Sequence, residues 1–176
     1  MNSYYKLRKD LTIEVFGRTL FRIEATKDIE CHGIKKGGLG GYVETRNNLY
    51  GKAWVYGEAW VYGEAQVSGE AQVYGKAWVS GEAQVYGKAR VYGEAWVSGD
   101  KIKTPKDIFN ITSNSQYNIT ITPNYIHIAC EFHKQSDWFK FTQKRILEMD
   151  GKSGLEWWGT WKPILKAICK IKKEER

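Results

Sequence analysis

The chain has 176 residues, 42% of them hydrophobic, which is enough for one ordinary domain or two small ones with a packed core. Three widely spaced cysteines predict neither a disulfide framework nor a zinc site, and no apolar run is long enough for a signal peptide or a membrane span. These absences favour a cytoplasmic protein without a membrane partner.

The net charge of +7 is unevenly distributed. Residues 1–48 carry nine basic and six acidic side chains, residues 49–100 four and six, and residues 101–176 fourteen and eight. The basic excess therefore lies in the two ends. Such ends attract an anionic partner, but a solvated lysine-rich surface explains them equally well.

Residues 1–42 predict an N-terminal β cap. Residues 11–25 alternate apolar and polar side chains around Phe16-Gly17-Arg18-Thr19, which predicts a hairpin with Gly17 at its turn. The glycine-rich segment that follows, residues 34–44 (IKKGGLGGYVE), has no Walker pattern and no helix after it. We therefore interpret this segment as the lead-in to the next domain and not as a phosphate loop.

Residues 43–102 repeat with a period of six. The series begins at Leu49 and continues with a valine at every sixth position up to Val97. A glycine follows each of these residues two positions later, and an alanine follows each glycine two positions after that, until Lys101 breaks the series. Alternation within A-W-V-Y places valine and alanine on the buried side of a strand, and glycine suits the corner between strands. No helix fits this period, so the segment predicts short strands joined by tight corners.

This pattern resembles the hexapeptide repeat of left-handed parallel β-helices, in which three hexads make one triangular coil. The resemblance covers residues 49–100 and implies about three coils, whose open ends the flanking segments must cap. Together with the KGGLGGYVE lead-in and the basic C-terminal segment, the repeats also resemble uncharacterised hexapeptide-repeat proteins of bacteriophages and prophages. That likeness implies a phage origin and action in the cytoplasm of an infected bacterium.

With eighteen residues in a coil, outward side chains eighteen apart form columns. One column is Trp60, Trp78 and Trp96, a second is Trp54, Gln72 and Arg90 beside Tyr56, Tyr74 and Tyr92, and a corner column is Glu64, Glu82 and Asp100. We expect the three tryptophans to form an oligomer interface, since proteins that resemble this fold usually assemble as trimers. A platform for a planar ligand and a ladder that only rigidifies the chain are the alternatives. The acidic column predicts like-charge repulsion at one strand spacing.

Residues 103–176 predict a compact α+β domain of three strands and two helices. The strands are residues 107–112, 116–122 and 125–132. The first helix has Ser136 as its N-cap, and the second begins near Leu155 with lysines opposite an apolar stripe. That stripe comprises Trp161, Ile164, Leu165, Ile168 and Ile171, and Trp138, Trp157 and Trp158 are further core candidates. The whole chain is thus predicted as a mainly β protein: a short parallel β-helix between a hairpin cap and an α+β domain.

The sequence offers little catalytic chemistry. Acyltransferases and carbonic anhydrases that share the hexapeptide fold use histidines on or beside the coils, whereas His32, His127 and His133 all lie outside these repeats. The nearest metal-like group is His127, Glu131 and His133, for which structural histidines are the favoured interpretation. We therefore predict a non-enzyme without a cofactor or a metal, and keep acyl transfer as a less favoured alternative.

Binding remains the best hypothesis. Aromatic platforms and basic ends suit the sequestration of an anionic, nucleotide-like signalling molecule of host antiviral defence. The candidate ligand-binding residues are Arg90, Tyr92, His127, His133, Lys134 and Arg145. A scaffold that binds only protein is the alternative, and the acidic repeats disfavour nucleic acid.

Overall fold

The computed structural model describes residues 4–111 and 116–174 and shows a mainly β protein. An N-terminal hairpin comes first, formed by β1 (Tyr5–Val15) and β2 (Arg18–Ala25), followed by β3 (Leu39–Val43). The solenoid strands are β4 (Trp54–Val55), β5 (Trp60–Val61), β6 (Gln66–Val67), β7 (Gln72–Val73), β8 (Trp78–Ser80), β9 (Gln84–Val85), β10 (Arg90–Val91), β11 (Trp96–Ser98) and β12 (Lys101–Ile102). These strands make about three turns.

Three parallel sheets form the sides of the solenoid, as the six-residue period predicts. Their strand orders are β3-β5-β8-β11, β4-β7-β10 and β6-β9-β12, with Leu49 bridging to Val67 on the third side. The repeated valines and alanines are at most 1% exposed and form one continuous core. At about 25 cal/mol per Å² of buried apolar area, this dry interior is the main source of solenoid stability.

The N-terminal hairpin extends the first side of the solenoid. Strand β2 pairs antiparallel with β3, and β3 pairs parallel with β5 through Tyr42 opposite Trp60. The hairpin turns at Phe16 and Gly17, both with positive φ, which confirms the predicted hairpin with Gly17 at its turn, whereas Arg18 and Thr19 already belong to β2. Strand β1 also begins earlier than predicted, at Tyr5. Antiparallel pairing thus covers an edge that would otherwise remain open.

The repeat shortens by one residue at its C-terminal end. Ile102 pairs with Val85, seventeen positions earlier, whereas Val97 pairs with Val79, eighteen positions earlier. The Asp100 carbonyl accepts from the Gln84 amide, so Asp100 occupies a position where earlier coils have alanine. It is 3% exposed. The predicted acidic corner column is therefore wrong for Asp100.

The C-terminal domain begins with a four-stranded antiparallel sheet and not the predicted three strands. Its strands are β13 (Phe109–Ile111), β14 (Ile119–Ile121), β15 (Tyr125–Ile128) and β16 (Glu131–Lys134), hydrogen-bonded in that order. Residues predicted as one strand, 125–132, form most of a hairpin that turns at Ala129, where φ is 52°. The predicted strand end at residue 112 lies outside the described residues.

Two helices complete this domain, α1 (Gln135–Trp138) and α2 (Gln143–Glu174). Ser136 lies inside α1, and Lys134 is its N-cap, so the predicted cap is wrong. Helix α2 is interrupted at Asp150 and Gly151, where the backbone leaves helical geometry, and Pro163 lies within it. No described helix is both long enough and apolar enough to span a bilayer.

The C-terminal core differs in part from the predicted stripe. Leu165 is buried, and Trp138, Trp158 and Cys169 accompany it. Ile164 and Ile171 of the predicted stripe are exposed. At 3.6 residues per turn, Trp158 and Cys169 lie within about 40° of Leu165 around helix α2, whereas Ile164 and Ile171 lie about 100–120° away and outside the buried face.

Candidate functional site

The three tryptophans of the first side form a stacked ladder. Parallel pairing of β5, β8 and β11 aligns Trp60, Trp78 and Trp96 in register. The ring centroids of Trp60 and Trp78 are 4.7 Å apart at 16°, and those of Trp78 and Trp96 are 4.2 Å apart at 15°. Both faces of the Trp78 indole are therefore covered by its neighbours.

The ladder lies between the hairpin and the C-terminal sheet. Phe16 stands nearly perpendicular to Trp78, with ring centroids 5.6 Å apart. The imidazole of His127, from β15, lies against Trp96 with centroids 4.2 Å apart. All three indoles are half-buried within a single chain.

Side chains of the C-terminal sheet hold that sheet against the last coil. The Trp96 amide donates to the Thr120 hydroxyl at 3.2 Å, and Thr120 donates onward to the Asn110 side chain. The Asn110 amide nitrogen donates to the Tyr92 carbonyl at 2.8 Å. These bonds place β14 and β15 beside the ladder and satisfy polar groups at the end of the solenoid.

A cleft of about 450 Å³ separates the ladder from the C-terminal sheet. The ladder indoles form one wall and the corner residues of the solenoid form a second. The C-terminal domain supplies the remaining lining residues, Gln116, Tyr117, Asn118, Thr120, His127 and Ala129. Its size lies in the range of small-molecule sites, and a mainly aromatic wall with a few polar groups is typical of such sites.

Charge in the cleft comes from one corner column of the solenoid. Glu58, Lys76 and Glu94 stand at successive coils along it. The Asn118 side chain donates to the Glu94 carboxylate, which ties the corner to the opposite wall. Within the described part of the chain, neither Lys76 nor Glu58 forms an ion pair. The cleft thus offers one ammonium and one carboxylate for a ligand.

Two titratable side chains of the cleft are neutral at pH 7. Burial lowers the pKa of His127 to about 4, so its imidazole carries no charge there. Burial, together with a hydrogen bond to the Asp150 carboxylate, raises the pKa of Tyr117 to about 12. His127 therefore offers an uncharged, hydrogen-bonding ring and not a positive charge for a phosphate.

A second, smaller groove of about 210 Å³ lies on the other side of the ladder. Its lining is Phe16, Tyr62, Trp78, Ser80, Trp96, Ser98, His127 and Phe132. The column Tyr62, Ser80, Ser98 changes from a large side chain to small ones, and this change leaves the space. None of these lining residues carries a formal charge at pH 7.

The structure does not bring the six predicted ligand-binding residues together. Only His127 lines the cleft. Arg90 and Tyr92 belong to β10 and the residue after it, on a different side of the solenoid, where Tyr92 stacks on Tyr74 at 5.6 Å. The six residues therefore do not meet in one site within a single chain, and their role in binding stays a prediction.

The other three predicted residues lie away from the ladder. His133 faces the helices, where it contacts Trp138 and hydrogen-bonds Glu131 at 2.7 Å. Lys134 is exposed near Gly99, and Arg145 is exposed on α2 within 4.0 Å of Glu148. Because residues alternate across the sheet, His127 and His133 face opposite sides.

The second predicted column is partly covered. Trp54 is fully buried, and its indole nitrogen has no hydrogen-bond partner. The short 3-10 helix Glu30–His32 lies over the neighbouring residues, with the His32 ring nitrogen 2.8 Å from the Gln72 side chain. The N-terminal cap therefore covers the first coils of this side, whereas Arg90 and Tyr92 of the last coil remain exposed.

The missed cleft residues are Gln116, Tyr117, Asn118 and Thr120, which follow an Asn/Ser-rich segment of the sequence and carry no binding or catalytic motif. Only the tertiary docking of the C-terminal sheet places them opposite the ladder. Among the described residues, no group of three or more His, Cys, Asp or Glu side chains could hold a metal ion.

Comparison with known proteins supports the solenoid. The sequence model of a family described as YdcK Beta solenoid repeat matches residues 83–99. A search of curated proteins finds no significant match. The chain is thus similar over one stretch of its repeats to a β-solenoid repeat family, in agreement with the three parallel sheets.

Proposed function

We propose that this protein is a non-catalytic binding protein and that the cleft beside the tryptophan ladder is its ligand site. The observation that carries the proposal is the 450 Å³ space with three indoles on one wall and amide and hydroxyl side chains on the other. Aromatic walls favour a planar ligand, and the side-chain amides of Gln116 and Asn118 suit hydrogen-bonding groups on such a ligand. A nucleotide-like molecule has both features.

The charges of the cleft narrow the ligand class. Lys76 is the one cationic side chain among the described cleft residues, and it lies between Glu58 and Glu94. These two carboxylates, each one coil away from Lys76, repel further negative charge. The cleft therefore suits a ligand with a single phosphate or cyclic phosphodiester held at Lys76, and not a polyphosphate.

The resemblance of the lead-in and repeats to phage and prophage proteins supports a biological role for this binding. Sequestering a nucleotide-like signal would counter host antiviral defence, in the cytoplasm of an infected bacterium. Acyl transfer is less well supported. A general base works best with a pKa near the operating pH, and burial holds the pKa of His127 at about 4.

Thermal unfolding in the presence of candidate ligands tests the proposal. The panel holds cyclic mono-, di- and trinucleotides, NAD-derived molecules and the matching nucleosides. A ligand at a hundred times its dissociation constant stabilises by about 2.7 kcal/mol, which is roughly 5–10 °C for a chain of this size. We expect a shift with at least one member, larger for the singly charged ones. No shift with any member would overturn the proposal.

Two lysines at equivalent corner positions provide matched variants. Lys76 lines the cleft, whereas Lys88 stands at another corner of the solenoid, and both are exposed. Lys76→Ala should lose most of the ligand-induced shift, and Lys88→Ala should retain it. Equal effects of the two substitutions would show that the ligand binds elsewhere.

The homotrimer stays a prediction. Phe16 and His127 flank the ladder and leave it recessed within one chain. A flat contact between the ladders of neighbouring subunits would have to displace them. The geometry therefore favours the ladder as a ligand wall over the ladder as an oligomer interface.

A further inference from the structure

The small groove opposite the cleft has an unusual lining. Six of its eight lining residues are aromatic, counting His127, and the other two are Ser80 and Ser98. Its volume of about 210 Å³ exceeds the roughly 150 Å³ of a protein cavity known to hold benzene. The groove therefore has room for one or two fused rings, and its uncharged lining favours a neutral occupant.

Phe16 closes one end of this groove in a strained conformation. Its φ of 50° lies in the left-handed region, where a bulky side chain is an outlier and two-residue turns favour asparagine or glycine. The ring remains 71% exposed, so burial offsets little of the strain. Strained residues that packing does not explain cluster at binding sites.

The geometry of the ladder determines how an aromatic ligand would be oriented against it. Trp60 and Trp96 cover both faces of the Trp78 indole. The Phe16 ring is nearly perpendicular to that indole, so the edge of the indole contacts the face of the Phe16 ring. Indole edges carry partial positive charge and aromatic faces partial negative charge. The tryptophan wall of the groove thus attracts the face of an aromatic ring, as its contact with Phe16 already shows.

We propose that this groove is a second binding site, for a small neutral aromatic molecule, on the opposite side of Trp78, Trp96 and His127 from the cleft. The ligand ring lies with its face on the edge of Trp96, and the Phe16 ring, which already covers the edge of Trp78, packs beside it. The Ser80 and Ser98 hydroxyls hydrogen-bond to a ring nitrogen. The left-handed Phe16 then serves recognition and not the stability of the hairpin.

Saturation-transfer NMR with free indole as the probe tests this site. Indole should receive saturation from the wild-type protein, and tetramethylammonium, the cationic alternative for an aromatic pocket, should not. Phe16→Asn, which suits the turn, and Ser80→Leu, which fills the groove, should both lose the indole signal. The exposed aromatic Tyr50 lies on another side of the solenoid, and Tyr50→Ala should retain the signal.

The melting temperature of Phe16→Asn distinguishes a role of Phe16 in ligand recognition from a role in packing. Phe16→Asn removes strain together with a small contact, so its melting temperature should stay within a few degrees of wild type. A large fall in that temperature would show that Phe16 serves packing and would overturn its assigned role. Absence of an indole signal in wild type, or its persistence in both groove variants, would overturn the site itself. Lys76→Ala leaves this groove intact, so the result does not depend on the cleft.

Discussion

The carboxylate of Asp100 accepts a hydrogen bond from the Thr122 hydroxyl at 2.6 Å, across the junction between the solenoid and the C-terminal sheet. The backbone and side-chain amides of Asn124 each donate to the same carboxylate at 2.8 Å. The Lys101 amide adds a longer bond of 3.2 Å. A side chain in an alanine position thus joins the two domains.

Replacing Asp100 should weaken this junction. Asp100→Ala leaves the Thr122 and Asn124 donors without their acceptor, so we expect a loss of roughly 2–4 kcal/mol in the free energy of unfolding. Urea unfolding measures the loss. Glu82, an exposed acid at the preceding corner, is the control, and Glu82→Ala should change stability by less than about 0.5 kcal/mol. Similar small effects of both substitutions would contradict the assigned role.

The pH dependence of stability should report His127. Its pKa is about 4 in the folded protein and near 6.5 when unfolded, so the unfolded state binds the proton more readily between these values. The contribution of His127 to the free energy of unfolding is therefore fully present above pH 6.5. It falls by about 3 kcal/mol as the pH drops toward 4. Urea unfolding at pH 7.5, 5.5 and 4.5 measures the fall.

A variant isolates the His127 contribution from other groups. His127→Phe keeps a ring against Trp96 but cannot titrate, so its stability should fall less steeply over the same pH range. The contribution of His127 is the difference between the wild-type and His127→Phe curves of unfolding free energy against pH. If the variant followed the wild-type curve, protonation of His127 would not be the cause.

The solenoid could be predicted because its determinants are local. A valine, a glycine and an alanine at fixed spacing specify strand, corner and interior without reference to distant residues. The same spacing predicts that Trp60, Trp78 and Trp96 lie in one column. Parallel pairing one coil apart brings those rings into contact but does not by itself fix their orientation, because Tyr56 and Tyr74, also one coil apart, meet edge to face.

The cleft could not be predicted because its second wall depends on tertiary docking. Gly99-Asp100 continues the Gly-acid pattern of earlier corners, so only the pairing of Ile102 with Val85 reveals the shortened coil. That shortening buries Asp100 and brings the C-terminal sheet against the last coil. Thr120 and His127 then approach Trp96 through contacts that no local pattern encodes.

Corner glycines should differ in how well they tolerate a side chain. Gly75 and Gly57 occupy equivalent corner positions with φ of 76° and 57°. A Cβ on Gly75 would lie 2.8 Å from the Gly93 carbonyl oxygen of the next coil, whereas a Cβ on Gly57 meets nothing within 4 Å. Gly57→Ala should therefore cost about 1 kcal/mol and Gly75→Ala roughly 2–4 kcal/mol.

Thermal or urea unfolding of the two variants in parallel measures this difference. Both substitutions incur the left-handed backbone penalty, and only one adds a clash between coils. Equal losses would mean that the coils move apart readily. The tight stacking of successive corners would then contribute little to the rigidity of the solenoid.

Substitution within the ladder should separate a ligand wall from an oligomer interface. Glutamine occupies the equivalent outward position at residues 66, 72 and 84, so Trp78→Gln is compatible with the strand. The recessed ladder predicts that the mass measured by light scattering will be the same for Trp78→Gln and wild type. Ligand-induced stabilisation in the cleft should fall, because the central indole of the wall is gone. A drop from a trimeric to a monomeric mass would instead identify the ladder as the contact between subunits, and the flanking Phe16 and His127 would then have to move when the subunits assemble.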